Sequence, residues 1–157
     1  MRLALIVIGF MLAAFAPGIS HAAEKFDTPR AVLEFAYKAY ASSEYTDNSK
    51  VLYSKGLEAL FAADEARTPA GDVGAVDFDV FVNGQDYKLN ELTIDDAVIS
   101  GAKATEAVSF KNFDESESMQ FYLVKQQDGW KIDDIESLTP GHTWRLSELL
   151  AADPALN

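Results

Sequence analysis

The chain has 157 residues, 48% of them hydrophobic and 24% charged, with no cysteine and a formal net charge of −12 at pH 7. That length suits one domain with a core large enough to need no covalent staples, and the missing thiols exclude disulfides, thiolate chemistry and cysteine-linked lipid. So acidic a surface repels nucleic acid and anionic headgroups at moderate salt; it fits a basic partner, or simply solubility.

Met1-Arg2, the apolar run "LALIVIGFMLAAFA", a break at Pro17-Gly18 and the small residues around Ser20-His21-Ala22 follow the grammar of a secretory signal peptide. Cleavage is expected after Ala22. Residues 1–22 are then the leader and residues 23–157 a single exported α+β domain, whose charge becomes −13 once Arg2 is gone. A run of about 14 apolar residues is too short to span a bilayer, so the mature form is expected to carry no membrane span and to be periplasmic or secreted.

Thr28-Pro29 opens a first helix, with a hydroxyl to cap free amides and proline where its missing N–H is harmless. Val32, Phe35, Ala36, Ala39 and Tyr40 form its apolar stripe, and it runs to about Ser42. "SSEYTDNSK" reads as a loop. Ser54 can cap a second helix from Lys55 to about Arg67, with Leu57, Leu60, Phe61 and Asp64 facing inward, and "TPAGDVGA" breaks it. From Asn90 the period changes to two. Leu92, Ile94 and Val98 define a first strand, Val108 and Phe110 a second, Met119, Phe121 and Leu123 a third, and "WKIDDIES" a fourth, reached through a tight turn at Asp128-Gly129. Short connections make this a curved antiparallel four-stranded meander with the N-terminal helices on one side. Thr143 caps a short last helix that turns Leu146, Leu149 and Leu150 inward.

The stretches "VDFDVFVNGQDY", "VSFKNF", "DGWKIDDIES" and "WRLSELL" resemble the pattern of a bacterial secreted family known as domain of unknown function 3828, itself similar to the nuclear transport factor 2-like cone. The resemblance spans most of Phe26 to Leu150. It implies helices closing one side of a bent sheet around a pocket, and it implies no particular activity.

The densest chemistry lies in "VDFDVFVNGQDY". Asp77, Asp79, Asn83 and Asp86 are hard oxygen donors, but Phe81 stands where a calcium loop needs a ligand and Gly84 comes too late, so no metal site is expected. Asn83-Gly84 is instead a turn pair, and Asp77 or Asp79 can fold back onto backbone amides. The other reading makes the segment a pocket wall, with Asp79, Asn83, Gln85, Asp86 and Tyr87 as binding candidates.

In "WKIDDIES", strict alternation sends Trp130, Ile132 and Asp134 to one face, whereas a bulge near Asp133 would carry both aspartates to water. The bulge is preferred. An inward Asp134 would have a raised pKa suited to general acid or base work, with Trp130 at the pocket rim. His142 is the only histidine beyond the leader, and it reads as exposed.

No nucleophile elbow, zinc motif or phosphate loop occurs, and no cofactor is expected. The expectation is an exported non-enzymatic module that binds a basic protein partner, such as an exported toxin, or a small apolar ligand. Two alternatives stand beside it: a small-substrate isomerase or dehydratase using Asp86 and Asp134, and a structural accessory subunit of an envelope complex.

Overall fold

The computed structural model describes residues 25–41 and 49–152. The leader assigned to residues 1–22 and most of the loop after the first helix lie outside them. The described chain is α+β, with four helices and one open antiparallel sheet.

Helix α1 (Pro29–Ala41) starts as its sequence requires: the Thr28 hydroxyl accepts from Ala31 N at 3.2 Å. Val32, Leu33, Ala36 and Tyr37 form its buried face. A single turn, α2 (Ser49–Leu52), occupies the end of the expected loop. Helix α3 (Lys55–Arg67) has Ser54 as its cap: the hydroxyl accepts from Leu57 N at 3.1 Å and donates to Asp133 at 2.6 Å. Ser54 N also donates to Ile132 O at 2.7 Å, so one serine starts the helix and welds it to the sheet. Leu57 and Asp64 are buried on α3, whereas Leu60 and Phe61 are only half-buried.

The strands are β1 (Leu89–Ile94), β2 (Val98–Ser100), β3 (Lys103–Asn112), β4 (Glu115–Gln126), β5 (Gly129–Ser137) and β6 (Trp144–Arg145), and helix α4 (Leu146–Ala151) follows. The order is β1-β3-β4-β5-β6, with β2 beside β1 on the outer edge of β3. Alternation gives β3 to β5 an inner face carrying Val108, Phe110, Met119, Phe121, Leu123, Ile132 and Ile135, all buried. Tyr37 and Phe81 pack on it, with ring centroids about 6 Å from Phe121. Aromatic side chains therefore fill the space between the helices and the sheet.

Four expectations about these elements change. The single first strand is two, interrupted at residues 95–97, and Leu92 and Val98 are exposed at 41% and 72%. A bulge between Asn90 and Thr93, with Glu91 at φ 54°, throws the alternation out of phase on this edge. With β2 and the short β6, the four-stranded meander becomes a six-stranded sheet. Thr143 does not cap α4, because Trp144 and Arg145 first pair with Ser137 and Glu136; Arg145 is the cap residue and makes no side-chain cap bond. At the β4–β5 hairpin, Gln126 pairs with Gly129, so Gln127 and Asp128 form the loop and only Gly129 takes positive φ, at 112°.

Candidate functional site

The register of the sheet builds the site. Val98 on β2, Thr105 on β3, Tyr122 on β4 and Asp134 on β5 are successive partners across four strands, and their side chains point away from the core. The next row back holds Ser100, Lys103 and Val124. Together with Gly56 and Leu60 of α3, all of these except Val124 line an open cleft of about 640 Å³ on the outer face. A mixed lining of this kind, mostly apolar with a few oriented polar groups, is what small-ligand sites use.

Asp134 reaches this face through a bulge. Tyr122 pairs with Asp134 and Leu123 with Ile132, leaving Asp133 as the extra residue. Asp133 is exposed, whereas Asp134 is only 6% exposed. The expected bulge is thus present, but it sends one aspartate to water and not both. The buried carboxylate accepts four hydrogen bonds: from Arg145 Nε at 2.6 Å, Ser147 Oγ at 2.6 Å, Ser147 N at 2.9 Å and Ile135 N at 3.0 Å. Those bonds use the acceptor capacity of an ionised carboxylate.

Arg145, held by Asp134, lies with its guanidinium 4.2 Å from the ring centroid of Tyr122. The Tyr122 hydroxyl donates to Glu136 at 2.6 Å, and that bond, reinforced by burial, raises its pKa. The Arg145 charge is stabilised by the same Asp134 bond, which raises its pKa in turn. Ring, guanidinium and carboxylates form one interlocked platform. Lys103 makes no ion pair with any described residue, so its ammonium is an available charge on the cleft wall.

The remaining sequence candidates are placed elsewhere. Asp79 accepts from Tyr40 OH with both oxygens, at 2.7 and 2.9 Å, and from Phe81 N at 2.9 Å. Asp79 and Gly84 form an antiparallel bridge, and Asn83 sits at φ 54°. The segment is a closed turn that plugs the core with Val80, Phe81 and Val82. Asn83 faces the sheet, Tyr87 packs edge-on against Tyr40 at 5.1 Å, and Gln85 is exposed with one long bond to Asp77 O. Trp130 is buried in the core with Lys125 across its ring.

Asp86 is exposed, and its carbonyl accepts from Asn112. Asn112 lies seven residues along β3 from Thr105, the row partner of Tyr122 and Asp134, a separation of about 23 Å. Asp86 and Asp134 therefore do not converge. His142 is exposed in the loop before β6. Among the described residues no group of three or more His, Asp or Glu side chains is arranged to hold a metal ion, and no helix is long and apolar enough to cross a membrane.

Sequence reasoning missed Tyr122, Arg145 and Glu106. Glu106 was within reach of the strand period, since counting back two from Val108 puts it on the inner face. Its side chain is fully buried there, and neither oxygen has a hydrogen-bond partner among the described residues. Burial pushes its carboxyl up to about 7; Arg30 opposes that shift, while Glu34 and Asp96 add to it.

In comparisons with known proteins, the chain matches no family model, no curated protein and no solved structure.

Proposed function

We propose that the protein is an exported, non-enzymatic binding module that takes a small, largely apolar ligand with an anionic end in the outer-face cleft. The observation that carries this reading is the saturation of Asp134. A carboxylate that accepts four hydrogen bonds cannot also accept a substrate proton without breaking its own scaffold, but it can hold Arg145 over the Tyr122 ring. The ligand's apolar body faces Leu60 and Val98, and its charge meets Lys103 and the outer nitrogens of Arg145. Residues 1–22 supply the leader for export to the periplasm or beyond. The packing of α1 on one face of an antiparallel sheet supports a nuclear transport factor 2-like relationship, with the difference that this inner face is filled by side chains and the cleft lies on the other.

The test is titration of the protein with a medium-chain fatty acid and with the matching neutral alcohol, followed by amide chemical shifts. Saturable shifts confined to Thr105, Tyr122 and Arg145, weaker with the alcohol and lost in Tyr122→Leu, are expected. Shifts absent at millimolar fatty acid, or unchanged in Tyr122→Leu, would remove the cleft as the site.

A further inference from the structure

Arg30 stands at the start of α1 and reaches across to the segment between β1 and β2. One terminal nitrogen donates to Ile94 O at 2.9 Å and to Asp95 O at 3.0 Å, and meets Asp96 at 3.3 Å. The interruption of the edge strand at residues 95–97 is thus held by a side chain more than sixty residues away in sequence. Behind the guanidinium lies Glu106, whose carboxyl is 4.0 Å from Arg30 Nε, beyond hydrogen-bond reach, and has no hydrogen-bond partner among the described residues. A buried carboxyl with two bare oxygens is tolerable when neutral and costly when ionised.

We propose that Arg30 is a clasp on the β1–β2 connector and that the protonation of Glu106 sets its grip. With Glu106 neutral, Arg30 stays on the connector carbonyls. When Glu106 gives its proton to solvent, the new buried charge draws the guanidinium inward, since a shift of about 1 Å turns the 4.0 Å approach into a charge-assisted hydrogen bond. The terminal nitrogen then leaves Ile94 and Asp95, and the bond that still tethers the connector, Asp95 N to Ala107 O at 2.9 Å, opens more often, while β2 keeps its pairing.

The charged groups that face Glu106 are Arg30 and Glu34 from α1 and Asp96 from the connector. Its row partners on β4 and β5, Phe121 and Ile135, are apolar. Val98, directly beyond the connector, lines the outer cleft, so loosening the clasp also loosens that wall; the clasp itself does not depend on what the cleft binds.

Backbone amide exchange of the intact chain, corrected for the intrinsic pH dependence of exchange, tests this at Asp95 while carbon NMR follows the Glu106 carboxyl. Protection at Asp95 should be lost in step with ionisation of Glu106, with a midpoint near pH 7. In Glu106→Gln, a neutral mimic of the protonated acid, it should persist through that range. In Arg30→Ala the amide should exchange fast at every pH. Constant protection in the wild type while Glu106 titrates, the same loss in Glu106→Gln, or full protection in Arg30→Ala would each overturn the clasp.

Discussion

Trp144 Nε1 donates to Asn83 Oδ1 at 2.7 Å, joining two residues 61 positions apart and fastening the acidic turn to the last strand. The amide nitrogen of Asn83 donates in turn to Glu117 at 2.7 Å, and Thr139 donates its hydroxyl to the same glutamate oxygen at 2.7 Å. One asparagine thus fastens the acidic turn to two strands of the sheet, β4 and β6.

Two requirements meet at Asn83, a backbone at φ 54° and an amide that both donates and accepts. Asn83→Gly keeps the first and loses the second, and should cost about 2 kcal/mol from unpaired, half-buried partners. Asn83→Ala adds left-handed strain of about 1 kcal/mol. Urea unfolding should therefore rank wild type above Gly and Gly above Ala. An alanine variant equal to the glycine variant would show that the backbone is free to relax.

The Asp134–Arg145 pair is 2.6 Å long, and the aspartate side chain is 9% exposed. Asp134→Ala leaves a guanidinium without its partner and the Ser147 amide without an acceptor, so a loss of about 3 kcal/mol is expected. Arg145→Lys keeps the charge but not the planar guanidinium over the Tyr122 ring. It should weaken ligand binding in the cleft more than it weakens folding, a split that calorimetry and unfolding read separately.

Glu106 makes stability depend on pH with a defined sign. Its folded pKa, about 7, lies above the value of 4.5 ordinary for the group, so between those values the folded state binds more protons than the unfolded state. Stability from this group is fully present below about 4.5, falls as pH rises toward 7, and is constant beyond. The total is about 3 kcal/mol. Unfolding free energies of wild type and Glu106→Gln should therefore diverge with rising pH, in favour of the glutamine variant. Parallel curves would mean that the carboxyl is ionised at its ordinary value.

How much of this was legible depends on the distance over which each feature is set. Ser54 and Thr28 could be read as caps because a cap is satisfied three residues away, and β3 and β4 could be read because side chains alternate strictly between two faces. The break at residues 95–97 could not be read, since it depends on the positive φ of Glu91 and on Arg30 reaching over from α1. "WKIDDIES" announced a bulge, but the burial of Asp134 is decided by Arg145 and Ser147, whose spacing carries no signal of its own. Of the candidate site, Asp134 was named for proton transfer and lies in the cleft as a scaffold. Tyr122 looked like any outward residue of a strand.

Gly129 and Gly101 separate backbone strain from steric contact. Both hold positive φ, at 112° and 62°, but a Cβ at Gly101 meets nothing within 4 Å, whereas one at Gly129 would lie 2.6 Å from Phe26 O and 2.8 Å from Phe26 N. The crowding exists because the chain at Phe26 runs as a parallel bridge against Gly129, with Trp130 N donating to Phe26 O at 2.8 Å. Gly101→Ala should thus cost about 1 kcal/mol, the strain alone. Gly129→Ala must also push residues 25–27 off the edge of β5 and uncover Trp130, and should cost about 3 kcal/mol or more. Thermal unfolding of the two variants gives the ranking directly. Trp130 fluorescence should shift to the red in the Gly129 variant alone, and equal midpoints for the pair would mean that the Phe26 segment is not seated on β5 as described.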